Sequence, residues 1–349
     1  MYADRSAIYS RIEAERGSKV LAYVTGDRPQ METQIHPEAL DYLPEHLDAF
    51  GLPSKISLIL YSRGGDTLAA WTVANMIRQF CDEFEVIVPM KAHSAATLIS
   101  LGATNIVMSK QATLGPIDPS VNSPLNPQVP GAPPNARLPV SVEEVAAYFQ
   151  LFTESLGVAG DEHKTAIYLK LAEEVHPLAL GKVYRARTQI QRLAERLLRG
   201  HLTDDERITR IVSILCSESG SHDYTINRRE AREIGLDVET PSMDFYAVMK
   251  ALHDDLRAEL QLGEAFDPEM MLASAAPGQP AQPPQVQYSA TRAFIESVDG
   301  GSHRFVSEGI LSRAMVNTPA GQMPGLLNQK TSEGWRHEPA VWPLRHELG

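Results

Sequence analysis

Two apolar runs, each closed by a turn and followed at once by a helical pattern, lie between residues 58 and 102 and constrain the chain more than any other feature. The first, LILY at 58–61, stops at Gly64-Gly65 and gives way to helical spacing over 68–80, which reads as strand, tight turn, helix. The second repeats the scheme. A β-branched apolar run over 84–90 leads to Ser94, which stands just before Ala95, Leu98 and Leu101, where a helix would begin.

A hydroxyl at a helix N-terminus faces unpaired backbone N–H groups and positive dipole potential, which favours a developing negative charge. Acyl transfer needs donors aimed at an oxyanion, and a glycine turn lets backbone N–H groups approach closely because no Cβ intervenes. The spacing therefore offers Ser94 as nucleophile, with the N–H groups of Gly65 and Ala95 as the oxyanion hole. Taken singly, the glycine pair also reads as a turn and Ser94 as an N-cap; their occurrence one β/α unit apart is more specific.

SRGGD at 62–66, AHSAAT at 92–97 and LGPIDP at 114–119 resemble the serine dehydrogenase proteinase family, a branch of the Clp-protease/crotonase superfamily related to the signal peptide peptidases. The resemblance runs over about residues 5–238, including HPLALGKVYRARTQI and SHDYTINRREAREIGL. It implies an α/β fold, a Clp/crotonase-like superhelix of repeated β-β-α units. It also implies a serine endopeptidase acting on peptide or protein substrates, a ring-type homo-oligomer, and no cofactor or metal. LGPIDP occupies the place where Clp-type peptidases carry their catalytic histidine, so a Ser-His-Asp triad of that kind does not carry over. Leu114, Gly115 and Pro116, with Gly64, are instead expected to shape the substrate wall, while Asp118 caps or pairs locally.

The missing part is a base. In signal peptide peptidase relatives it is a lysine C-terminal to the nucleophile, which must be desolvated to be neutral near pH 7. Lys182, at the start of a long helical pattern ending at Gly200, is preferred over Lys164 and Lys170; His176 is the runner-up and His222 a third choice. Lys91 and His93 stand too close to Ser94 in sequence, since neighbouring side chains on an extended segment point apart.

The rest of the chain is consistent with a globular protein. Hydrophobic content of 43% and charged content of 22% are ordinary, and a formal charge of −12 argues against a nucleic-acid surface. The first 19 residues lack an apolar core segment and the longest apolar runs are of strand length, so neither a secretory signal nor a membrane span is expected, and the location implied is cytoplasmic. Cys81 and Cys216 cannot make a disulfide framework or a metal site by themselves.

Helices are read over 5–16, over 36–50 with an interruption near Pro44, from a capping box at 141–144 to about 156, and over 162–174. Eight of the 24 prolines fall in 116–139, which reads as an irregular loop inserted into a domain of residues 1–240. A helical extension over 241–272, a linker over 273–287 and a β-hairpin with a tail over 288–349 complete the expected organisation. That C-terminal part is expected to cap the core, bind another subunit or partner protein, or form a small module. Two other readings stay open: a crotonase-type acyl-CoA enzyme, which uses the same paired N–H groups, and a non-catalytic assembly or binding protein.

Overall fold

The structure, a computed structural model, describes residues 1–118, 120, 121, 123–133, 135–218, 223–274, 285–318 and 321–340. Helix α1 (Tyr2–Arg16) closes on Gly17, whose φ of 59° is the left-handed conformation glycine adopts without strain, and leads into β1 (Lys19–Thr25). A 3-10 turn (Pro37–Asp41) precedes α2 (Leu43–Phe50). Pro44 lies in the first turn of α2, where its missing N–H costs nothing, so the interruption read near it is a helix start. β2 (Lys55–Tyr61), α3 (Thr67–Gln79), β3 (Glu83–Val88), β4 (Lys91–Ala92), α4 (Ala95–Ser100), β5 (Asn105–Met108) and β6 (Thr113–Leu114) form the region of the two β/α units.

The short strands β7 (Ser120–Val121) and β8 (Val140–Ser141) pair at the two ends of the proline-rich loop. They lead into α5 (Val142–Gln150), α6 (Asp161–Glu174), α7 (Pro177–Leu198) and α8 (Asp205–Ser213). β9 (Ile226–Asn227), α9 (Arg228–Ile234), β10 (Val238–Glu239), α10 (Met243–Glu259) and α11 (Pro268–Ser274) follow, then β11 (Gln285–Ser297), β12 (Gly301–Thr318) and β13 (Gly321–Glu338).

Among the described residues the main sheet has eight strands in the order β10-β5-β3-β2-β1-β11-β12-β13. The first five run parallel; β11 joins β1 antiparallel, with Leu21 opposite Ser297, and β12 and β13 continue as an antiparallel meander. The alternation of side chains along a strand explains why the central strands are apolar throughout. Leu21, Tyr23, Leu58 and Leu60 face a core completed by α3, α4, α7 and α8, while Val20, Ala22, Ile59 and Tyr61 face a second core closed by α1 and α10.

The C-terminal strands are fastened to the N-terminal helix by a buried ionic network. Arg5, fully buried, donates to both carboxylate oxygens of buried Glu296 at 2.9 and 2.7 Å and to Asp255 at 2.6 Å, while Tyr9 and Ser302 also donate to Glu296. Residues 285–287, read as the end of a linker, begin β11, and the stretch read as a tail supplies β13. Residues 275–284 of that linker, and Trp342, lie outside the described residues.

Candidate active site

Ser94 sits where the chain leaves β4 and turns into α4, with φ 52° and ψ −116°. Among the described residues only Gln30, Ser94 and Gln261 combine a side chain with positive φ. Such a backbone costs about 1–3 kcal/mol and persists only where the surroundings impose it. Ser94 occupies the N-cap position, yet its side chain makes no capping bond. Asp66 and Ser242, at the same position on α3 and α10, do cap, accepting from Ala69 at 2.7 Å and Phe245 at 3.0 Å. The hydroxyl of Ser94 is therefore not used by its helix.

The glycine turn is pinned against this corner. Ser62 donates its N–H to Lys91 at 3.2 Å and accepts from the His93 N–H at 3.0 Å, which lays the two segments side by side. Gly64 (φ 114°) comes so near Ser94 that a Cβ there would stand 2.7 Å from the Ser94 Cβ and 3.2 Å from the Ala95 nitrogen. The Gly64 N–H is spent on the Ser62 hydroxyl at 2.9 Å, which itself accepts from Thr25 at 2.7 Å. Neither the Gly65 N–H nor the Ala95 N–H has an acceptor among the described residues.

Residues 33–36 support the turn from its far side. Ile35 donates to the Gly64 carbonyl and accepts from the Asp66 N–H, both at 2.8 Å, so Gly65 is held in a parallel bridge with Ile35. A Cβ at Gly65 would fall 2.3 Å from the Ile35 carbonyl oxygen.

Below Ser94 lies the segment from Leu114 to Asp118. β6 pairs with β4 on one side and β9 on the other. Buried Thr97 donates to the carbonyls of Ala92 (2.8 Å) and Gly115 (2.7 Å), and the Gly115 N–H returns a bond to its hydroxyl at 3.2 Å. Gly115 packs on His93, where a Cβ would be 3.0 Å from the His93 Cβ. Leu114, Gly115 and Pro116 are all buried, and the Leu114 side chain belongs to the core. Asp118 is buried and accepts from Ser141 at 3.3 Å.

Lys182 is half-buried on α7 and donates to the hydroxyl of Ser123, a buried residue of the proline-rich loop, at 3.2 Å. Lys164 is exposed, and exposed Lys170 pairs with Glu173 at 2.6 Å. His176 is the exposed N-cap of α7, its Nδ1 accepting from the Leu178 N–H at 3.1 Å. His222 lies outside the described residues. Lys91 is tied to Asp27 at 2.7 Å; burial raises the Asp27 carboxyl, but hydrogen bonds from Lys91 and Tyr61 outweigh it and hold the group below its usual range. His93 bonds to the Thr113 hydroxyl at 2.8 Å. No hydrogen bond joins Ser94 to Lys182 or His176 among the described residues.

Sequence reasoning brought Gly64, Ser94 and Ala95 together, but it did not single out Ser62, Thr97 or Ile35. A serine two residues ahead of the glycine pair and a threonine one helical turn past Ser94 are the only local signals for the first two. Ile35 carries none, because its contact is between backbones distant in sequence.

Residues 51–130 match the family described as ClpP-like SDH-type serine proteinase, which bears out the resemblance drawn from SRGGD, AHSAAT and LGPIDP. The uncharacterized protein MJ0137 of Methanocaldococcus jannaschii is 30% identical over 185 residues, covering 53% of this chain and 54% of that protein. A second uncharacterized protein of the same organism, MJ1495, is 27% identical over 237 residues, covering 66% and 69%. The chain thus spans about half the length of the first of these curated relatives. Among solved structures, the 1510-N membrane-bound stomatin-specific protease superposes with a TM-score of 0.39 at 15% identity, covering 66% of this chain and 85% of that one. ClpP1 from Listeria monocytogenes gives a TM-score of 0.33 at 14% identity, covering 63% and 92%. Among the described residues no helix is long and apolar enough to cross a membrane, and no cluster of three or more His, Cys, Asp or Glu could hold a metal ion.

Proposed function

We propose that this chain is a serine peptidase that hydrolyses peptide bonds through an acyl-enzyme on Ser94. The observation that carries the reading is the state of Ser94: strained backbone, hydroxyl not used as a cap, and contact with Gly64. A structural serine at a helix start would relax and cap. The match of residues 51–130 to a serine proteinase family supports the same reading.

In this mechanism Ser94 Oγ attacks the scissile carbonyl, and the Gly65 and Ala95 N–H groups receive the oxyanion. Both donors are fixed before substrate arrives, the first by Ile35 and the second by the start of α4. Lys182 is the proposed base, completing a Ser-Lys dyad. Of Lys164, Lys170 and Lys182 it is the one that is half-buried rather than exposed. The Ser123 hydroxyl accepts from its Nζ at 3.2 Å and orients it. Lys182 takes the serine proton, returns it to the leaving amine, and then activates the water that releases the acyl group.

The substrate is a peptide or protein strand laid beside the glycine turn, with Gly64 and the segment from Leu114 to Pro116 forming the wall behind it. The working unit is a homo-oligomer. α7 exposes Leu178 (65%) and Tyr184 (74%) beside exposed Arg185 and Arg192, an amphipathic surface suited to a second copy. Intact-mass labelling by a fluorophosphonate probe, in wild type and Ser94→Ala, tests the nucleophile; light scattering of the same samples tests the oligomer.

A further inference from the structure

Arg292 is the extra residue of a β-bulge in β11: the ladder with β12 shifts register between Thr291 and Ala293. The ladder between β11 and β1 also ends here, at the pair Thr25 and Ala293. Bulges re-aim a side chain out of the regular pleat. The guanidinium of Arg292 leaves the sheet and reaches the loop that follows β1. Its Nε donates to the Met31 carbonyl at 3.0 Å and its Nη2 to the Glu32 carbonyl, while Nη1 bonds to Ser307 at 3.1 Å and Glu333 at 2.8 Å. Glu333 is held in turn by the Ser307 hydroxyl at 2.7 Å. The backbone carbonyl of Arg292 binds the same loop, accepting from the Gly26 N–H at 2.7 Å and from the Thr33 hydroxyl at 2.8 Å.

That loop ends at Ile35, the residue that brackets Gly65. A continuous path of hydrogen bonds and backbone therefore runs from Glu333 on β13, through Arg292 on β11, to residues 31–35, and on to Gly64 and Asp66. Residues 31–33 are fixed at three consecutive backbone or side-chain positions by one arginine, two residues before the bridge to the glycine turn. From this we infer that Arg292 is a positioning residue for the oxyanion hole: it holds the 31–35 loop so that Ile35 sets the direction of the Gly65 N–H. The C-terminal strands then serve the chemistry at Ser94 without touching substrate. This inference rests on the serine peptidase reading for its catalytic consequence, but not for its structural one.

A lysine cannot replace the fork, because one ammonium cannot reach two successive carbonyls and a carboxylate in fixed geometry. Misplacing a catalytic group by a fraction of an ångström to an ångström reduces reaction rates on the order of 10- to 100-fold.

The test compares full-length wild type, Arg292→Lys and Glu333→Gln, the last keeping Arg292 but removing its anionic anchor. Two readouts are taken: amide hydrogen exchange in the peptides containing Ile35 and Asp66, and the fluorophosphonate reaction split into its inactivation rate and its binding constant. The expected result is faster exchange at both amides in both variants, larger in Arg292→Lys. The inactivation rate should fall about 10- to 100-fold with the binding constant unchanged. Unchanged exchange at Ile35 and Asp66 overturns the inference, and so does faster exchange with an unchanged inactivation rate. A wild type that is inert to the probe sinks the peptidase reading instead, and the exchange readout still decides whether Arg292 holds the glycine turn.

Discussion

Gly64 lies against the side chain of Ser94: a methyl group at Gly64 would stand 2.7 Å from the Ser94 Cβ, and the residue already has a φ of 114° that L side chains rarely adopt. Gly64→Ala should therefore push the turn away from the nucleophile. The expected outcome is a folded protein with a loss of acylation rate on the order of 100-fold or more, the scale of losing one oxyanion donor. Stopped-flow labelling with circular dichroism as the folding control checks it. Near wild-type acylation would show that the contact has no part in the chemistry.

Lys182→Ala should abolish acylation of Ser94, and Ser123→Ala should slow it, because the Ser123 hydroxyl holds Nζ in place. His176→Ala should leave the acylation rate unchanged and cost about 1 kcal/mol of stability, as the loss of an N-cap of α7. Acylation rates beside urea melts separate the two roles. The reverse pattern would transfer the base from Lys182 to His176.

Arg5 and Glu296 are both fully buried and bound by two hydrogen bonds. Removing Glu296 leaves buried Arg5 with Asp255 at 2.6 Å as its nearest carboxylate and two donors unpaired, and breaking a buried pair in this way typically costs about 3–5 kcal/mol. Glu296→Leu should thus be strongly destabilising, although leucine is well suited to a core. Arg5→Met with Glu296→Leu should recover part of the loss. Denaturant unfolding of the two single variants and the double variant measures the coupling.

A histidine pair makes the joint between α2 and the C-terminal strands sensitive to acid. His46 is buried, bonded to Ser297 through Nδ1 (2.7 Å) and to His303 through Nε2 (3.0 Å), and His337 stacks on His303 at 4.3 Å. Glu45, 3.4 Å from His303, is the carboxylate facing the pair. Burial, with His303 and His337 adding to it, pushes His46 down to about 3. Its folded-state value lies below the unfolded one of about 6.5, so the unfolded chain takes up a proton first. Stability is then full above about pH 6.5 and falls as the pH drops toward 3, by about 2 kcal/mol at pH 5 from His46 alone. His303, also lowered by burial, acts in the same direction. Thermal melts between pH 5 and 8 on wild type and His46→Gln should show a steeper acid loss in the wild type. Parallel curves would contradict the assignment.

Much of this architecture is legible in the sequence because its signals are local. LILY before Gly64-Gly65, and the run before Ser94, announce strand, turn and helix through periodicity, and Gly17 marks the end of the first helix. The joining of β11 to β1 is not local: Leu21 meets Ser297 across most of the chain, and no spacing encodes that register. β13 carries glycines, a proline and charged residues where a strand pattern would alternate, so its stretch read as a tail. Within the site, Ser94, Ala95 and the glycine pair were legible through the chemistry they invite. Ile35 acts through its backbone, and the Arg292 guanidinium through partners distant in sequence, so no local spacing encodes either.

The central claim is that Ser94 is an activated nucleophile, and intact-mass measurement after fluorophosphonate treatment, with peptide mapping, tests it most directly. The account predicts one adduct per wild-type chain, located on Ser94, and none on folded Ser94→Ala. A folded wild type without an adduct, or an adduct that persists in Ser94→Ala, would contradict it.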